Sequence, residues 1–193
     1  MAAVAAPYGA RPIGTLSASG SFTGKVRHIG IAASYGTQIS YGDFVKLVTA
    51  GVVEKDTGTA TLTPVGIFLG CSYTDPSTGQ LTFTKLWTAS NAATDAVAYV
   101  LDDPHVLFQM QGDATLAVTA RGANAAIVVT AGSTTFGMSK SAFDSSSINS
   151  TATLPLRLID FVDGPDSSIG DAFTDVICMF NVGHQYLNTT GLA

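Results

Sequence analysis

Between residues 41 and 71 three short β-type runs follow one another with only glycine and aspartate turns between them. They are Tyr41-Gly42-Asp43-Phe44-Val45-Lys46-Leu47-Val48, Gly51-Val52-Val53-Glu54-Lys55-Asp56-Thr57-Gly58-Thr59 and Pro64-Val65-Gly66-Ile67-Phe68-Leu69-Gly70-Cys71. Runs of about four to eight residues, rich in β-branched and aromatic side chains and bounded by turn formers, leave no room for helices of ordinary length and dictate strands. Phe44, Lys46 and Val48 against Val45, Leu47 and Thr49 describe a strand with one more polar face. Gly66-Ile67-Phe68-Leu69-Gly70 is apolar on both faces and belongs at the centre of a sheet.

The same grammar continues along the chain, where Thr, Val and Ile together total 50 residues. Strands are expected near 37–41, 43–49, 51–55, 64–71, 80–87, 96–101, 105–110, 125–130, 154–161 and 174–182. Thr74-Asp75-Pro76-Ser77-Thr78-Gly79 reads as a hairpin loop opened by Asp-Pro and closed by Gly. Only 86–98 and 141–148 have room for a short helix, and β-branched or Ser-rich stretches interrupt both. The expected fold is all-β: a single β-barrel or β-sandwich domain over residues 31–193, with little helix. Residues 1–30 read as an extended N-terminal arm. Pro7, Gly9, Pro12 and Gly14 punctuate its start, and Ser17-Ala18-Ser19-Gly20-Ser21 follows. Tyr8, Ile13, Leu16, Phe22, Val26 and Ile29 give that arm apolar groups with which to dock.

Composition narrows the function classes. Ala, Gly, Ser and Thr supply 87 of 193 residues, and charged residues make up 12%, about half the usual share. Such a chain suits burial of its surface against other protein. A net charge of -5 and a pI near 4.8 disfavour nucleic-acid binding through phosphate neutralisation. Charge is also segregated: residues 1–42 hold Arg11, Lys25 and Arg27 with no acid, whereas 141–193 hold six aspartates against Arg157. Opposite-sign regions can orient copies or partners on encounter. The first residues lack a basic signal-peptide start, and no apolar run approaches a membrane span, so synthesis in a cytosol without membrane insertion is expected.

Reactive constellations do not emerge. Cys71 and Cys178 lie far apart in apolar runs and read as two buried reduced thiols, with a single bridge between them the other reading. His28, His105 and His184 are scattered without zinc-ligand spacing. Asp102-Asp103-Pro104-His105 is first of all a turn. Asp160, Asp163, Asp166 and Asp171 raise a calcium loop, but the D-x-D-x-D-G spacing and distal Glu are absent and turn chemistry accounts for them. Neither a nucleophile elbow nor a phosphate loop occurs, so no enzyme, metal or cofactor is expected. Tyr35, Tyr41, Phe83, Trp87, Tyr99 and Phe108 alternate with apolar partners and read as core filling, with Trp87 the one suited to an interface centre.

Several phrases resemble the head decoration (capsid cement) proteins of tailed bacteriophages. They are Pro7-Tyr8-Gly9 with Arg11-Pro12, Tyr41-Gly42-Asp43 with Val45-Lys46-Leu47, and Val65-Gly66-Ile67-Phe68-Leu69-Gly70-Cys71. Leu154-Pro155-Leu156-Arg157 with Asp160-Phe161, Gly170-Asp171-Ala172-Phe173-Thr174-Asp175-Val176 and His184-Gln185-Tyr186 follow. The resemblance implies a β-rich structural protein made in the host cytoplasm that sits on the outer surface of an icosahedral capsid. It implies a homotrimer whose partner is the major capsid protein and which bridges neighbouring capsomers without catalysis. Tyr8, Arg11, Phe22, Trp87, His184 and Tyr186 are the expected capsid or subunit contacts. The rival reading is a phage tail or adhesion module with a carbohydrate-binding β-sandwich. A major capsid protein would need a longer chain with a spine helix.

Overall fold

In the computed structural model, which describes residues 4–16 and 24–181, two antiparallel sheets carry the fold and the described residues contain no α-helix. The first sheet is ordered β1 (Arg11–Thr15), β10 (Val106–Gln111), β15 (Asp175–Phe180), β14 (Leu156–Phe161), β11 (Asn124–Ala125). The second runs β2 (Val26–Gly30), β9 (Val97–Leu101), β6 (Gly66–Thr74), β4 (Phe44–Leu47), β5 (Val53–Lys55), and β7 (Leu81–Thr84) pairs with the far end of β6. Two short pairs complete it: β3 (Ile39–Ser40) with β8 (Leu86–Trp87), and β12 (Ile127–Val128) with β13 (Ala142–Phe143). The all-β expectation holds. The stretches expected as possible helices are instead strand and loop at 86–98, and β13 plus a 3-10 turn at Ser145–Ser147. Asp144 caps that turn by accepting from the Ser146 and Ser147 N–H groups.

Alternation explains the first sheet. Val106, Phe108 and Met110 on β10, Val176, Cys178 and Phe180 on β15, and Leu156 and Leu158 on β14 all point to one buried face. Sheet two buries both faces. Phe44, Ile67 and Leu101 join the first sheet's core, while Val45, Phe68, Cys71, Ala98 and Val100 face a second core closed by Ile39, Trp87, Ala93 and Ala96. That two-sided burial is why β6 reads as an uninterrupted apolar run. Phe44, Phe108 and Phe180 clasp the two sheets together, with ring centroids 5.2 to 5.5 Å apart in tilted and edge-on geometry.

The region expected as a separate arm is not separate in its described parts. Residues 11–15 form the edge strand β1 on β10, and residues 26–30 form the edge strand β2 on β9. Before β1, the Gln111 side chain ties down the Ala6 N–H and the Val4 carbonyl, and Ala10 is fully buried in the first core. Removing residues 2–24 would therefore strip a strand and a core residue, and not merely an appendage. The Cys71 and Cys178 thiols are free, and they sit in different cores.

Gly9 shows how closely the first segment packs. Its φ is +76°, a left-handed conformation, and a Cβ there would press on Ser139 and lie 2.7 Å from the Gly42 carbonyl oxygen. Gly9→Ala is expected to destabilise the chain by about 2–4 kcal/mol. Gly14→Ala, which meets open space, should stay within about 0.5 kcal/mol of wild type. Urea unfolding followed by tryptophan fluorescence measures both.

Burial pushes the Cys71 thiol up to about 12 and the Cys178 thiol well above its ordinary range, so neither supplies thiolate near neutrality. The expected outcome with Ellman's reagent at pH 8 is no reaction while folded and two equivalents after unfolding. Rapid labelling of the folded chain would contradict the burial of either thiol.

Candidate functional site

A buried polar cluster lies where four chain segments cross. Tyr41-Gly42-Asp43 forms the turn into β4, and β4 is pinned to β6 because Gly42 N–H donates to Phe68 O and Phe68 N–H donates to Asp43 O. The Asp43 side chain is fully buried. Its Oδ2 accepts from the Ser40 N–H at 2.8 Å and pairs with Lys55 Nζ at 2.9 Å, and its Oδ1 accepts from Ser139 Oγ at 2.6 Å. Around it, Gly9 N–H donates to Ser141 O and Ala10 N–H donates to Gly42 O. Three partners on one carboxylate compensate its burial and hold the lysine head in place.

Other carboxylates also have partners, although Asp102 Oδ1 is buried without a hydrogen bond. Asp102, buried at the end of β9, faces Arg27 on β2, and Lys25 Nζ lies 3.9 Å away. Asp56 is buried and accepts from the Gly58 and Thr63 N–H groups, closing the loop before β6. Of the aspartates that suggested calcium, Asp160 pairs with Arg121 at 2.6 Å, and Asp163 and Asp171 both accept from Ser168. The Phe161 backbone N–H, then Arg121, lowers the Asp160 carboxyl below its ordinary range. Among the described residues no group of three His, Cys, Asp or Glu side chains could hold a metal ion. His105 sits on the exposed turn, its backbone N–H donating to Asp103, and His28 stands edge-on to Tyr99 at 4.9 Å.

The six expected contact residues separate. Arg11 is exposed on the outer edge strand β1, with Ile13 and Leu16 also exposed beside it. Tyr8 is half-buried. Its hydroxyl is turned inward beside Asp175 and Gln109 without reaching hydrogen-bond geometry, and burial, then the Asp175 charge, raises the phenol above its ordinary range. Desolvation also raises the Asp175 carboxyl, although Gln109 donates to its Oδ2 at 2.8 Å. Trp87 corrects the expectation of a contact. It is 0% exposed, its ring packs edge-on to Tyr73 at 5.8 Å, and its indole N–H donates to the Tyr35 carbonyl, so it offers no surface. Phe22, His184 and Tyr186 lie outside the described residues.

One surface group was misassigned from sequence. Phe83, expected in the core with Phe108, is 67% exposed, and Leu81 on the same strand is 63% exposed. Phe83, Thr84 and Lys85 wall a shallow groove of about 300 Å³ with Leu69, Gly70, Cys71 and Tyr99. The Leu-Thr-Phe-Thr alternation marks one apolar face, but only the sheet order reveals that no second layer covers it. Nearby, Phe136 is 76% exposed in a loop whose next residue, Gly137, packs against Lys85 and Leu86.

In comparison with known proteins, no protein-family model, no curated protein and no solved structure matches this chain.

The Asp43–Lys55 pair makes a measurable demand. Lys55→Met alone leaves a buried carboxylate without its cation and is expected to cost about 3–5 kcal/mol. Combining it with Asp43→Asn should recover a substantial part of that loss, because no charge is then buried. A double-mutant cycle by urea denaturation checks this, and additive losses would show that the two groups do not act as a pair.

Proposed function

We propose that this chain is a non-catalytic structural protein of a tailed-phage virion, bound to the outer surface of the icosahedral capsid, where it bridges neighbouring capsomers. The observation that carries the reading is the outer edge of β1. Arg11 and Ile13 project from a strand whose inner side is held by β10 and whose approach is held by Gln111, and Leu16 is exposed just past its end. An exposed strip that mixes a guanidinium with apolar area, on a preordered backbone, suits docking to another protein, because little ordering entropy opposes it. The cluster chemistry agrees: the buried carboxylates described above are spent on holding the fold together. The resemblance to head decoration proteins in the phrases around Tyr8, Tyr41 and Ile67 supplies the identity of the partner, the major capsid protein.

A cement protein acts by mass action. It binds the assembled lattice and not the free subunit, and so stabilises the shell by its binding free energy. A homotrimer at a symmetric lattice point multiplies that effect through simultaneous contacts. The acidic balance leaves nucleic acid out of this reading, and no membrane partner enters it. A second reading, an adhesion module that binds carbohydrate, is favoured by the exposed Phe83 ring beside Tyr99 and Lys85. Glycan-array binding that Phe83→Ala abolishes would favour it.

Particles lacking the protein are expected to assemble but to release DNA at lower temperature or milder osmotic shock than decorated particles. DNA release against temperature reads this, and coincident curves would remove the stabilising role. On such particles the pair Arg11→Glu with Ile13→Asp should lower occupancy at least about tenfold, equivalent to about 1.4 kcal/mol of binding. The melting temperature of the isolated chain should barely move, because both side chains are exposed. Unchanged occupancy would move the contact away from β1.

A further inference from the structure

We infer that β7 is a self-association edge, at which two copies of this chain pair antiparallel about a two-fold axis centred on Thr82. This does not rest on the capsid reading above.

On the two larger sheets every described edge but one is guarded. β1 carries Arg11 and Pro12, and its register slips between Pro12 and Gly14. On β2, Arg27 is paired with Asp102. β5 is three residues long and carries Glu54 and Lys55, and β11 is two residues long. Charge, proline, bulges and brevity are the usual devices that keep an open edge from pairing with another chain. β7 is Leu81-Thr82-Phe83-Thr84, with no charge, no proline and an unbroken register along β6.

Backbone geometry defines the pairing. Asp75 N–H donates to Gln80 O in the same register that matches Tyr73 to Thr82 and Cys71 to Thr84. Antiparallel pairs alternate, so Thr82 and Thr84 direct their backbone groups toward β6, and Leu81 and Phe83 direct theirs outward. A two-fold axis at Thr82 then sets Leu81 of each copy opposite Phe83 of the other, in hydrogen-bonded positions on one face. Thr82 meets Thr82 between them, at a non-hydrogen-bonded position. Both apolar side chains, the two most exposed on this sheet, gain an aromatic–aliphatic cross-strand partner. Neutrality selects the occupant: a charged strand would set like charges against each other at a two-fold axis, and β7 has none to oppose. The stripe continues past Phe83 to Leu69 and Tyr99 along the groove wall, so pairing also extends one apolar face across two copies. Two four-residue strands fall below the roughly 1,200 Å² of a standard interface, which places the contact in the weak, concentration-dependent class.

Sedimentation velocity over about 1 μM to 1 mM is expected to show a concentration-dependent pairing, of single chains or of the trimers proposed above, whose dissociation constant rises at least tenfold in Phe83→Lys. Thr82→Cys should form a disulfide-linked dimer on mild oxidation, whereas Thr84→Cys, placed opposite Gln80, should not. The buried Cys71 and Cys178 thiols stay silent in both. A chain that stays monomeric with no Thr82→Cys cross-link overturns the inference. So does a pairing step that Phe83→Lys leaves intact, or equal cross-linking at the two positions. Strong hydrogen-exchange protection of the outward Leu81 and Phe83 amides in a monomer would place another segment of the same chain on the edge and also overturn it.

Discussion

A single buried carboxylate decides how the two sheets meet. Taking Asp43 out of water costs several kcal/mol, and only its three partners offset that cost: the Ser40 N–H, the Ser139 hydroxyl and the Lys55 ammonium. Those partners belong to different stretches of chain, so satisfying one charge forces the segment before β4, the end of β5 and the loop before β13 into one place. The backbone of residues 9 and 10 is then held against Gly42 and Ser141, which aims β1 along β10. An apolar contact at this crossing would tolerate sliding. A buried charge held by three directional partners tolerates much less, and the directions of the strands leaving it follow.

Around that point the packing is divided. The second sheet serves two cores at once, with Phe44 and Ile67 turned to one side and Val45 and Phe68 to the other. Small side chains make this possible. Gly66 lies so close to the Leu101 backbone that any side chain would collide with it, and Ala96 and Ala98 sit in the second core. The abundance of alanine and glycine, which from composition alone suggested surface for burial against other proteins, is thus partly used inside the chain.

Much of the fold was legible because it rests on local alternation. β4, β9, β14 and β15 lie within runs visible as strands, β6 and β10 overrun theirs at the C-terminal end, and β6 announced its two-sided burial through the apolar stretch at its start. What local pattern does not encode is the layer that covers a face. Phe83 and Phe108 have the same kind of neighbours in sequence, yet one is bare and the other is central, because β7 ends a sheet and β10 sits inside one. Trp87 erred in the opposite direction: as the chain's lone Trp, a residue type enriched at interface centres, it looked like a contact, but β3 and Tyr73 cover it. Residues 11–15 were hidden by their own punctuation, since Pro12 and Gly14 suit an edge strand with a bulge as well as they suit an arm. Of the candidate contacts, Arg11 was legible as a charge in an apolar segment, whereas nothing in the sequence shows that Tyr8 turns its hydroxyl inward.

Strand order also imposes an order of assembly. All six strands of the second sheet lie within residues 26–101, whereas the first sheet joins residues 11–15 to partners at 106–111 and 175–180. On a ribosome adding about 5–20 residues per second, β1 waits several seconds for β10, and β10 several more for β15. During that wait the second sheet can close one core while Phe44 and Ile67 remain bare on its other face. A chain refolding from denaturant meets the same gap as loop entropy in place of time, because the β1–β10 pairing that completes the first sheet closes a longer loop than any other strand pair described. A half-built state, with one sheet formed and one apolar face open, would therefore be where temperature and crowding act most strongly on the yield of folded protein.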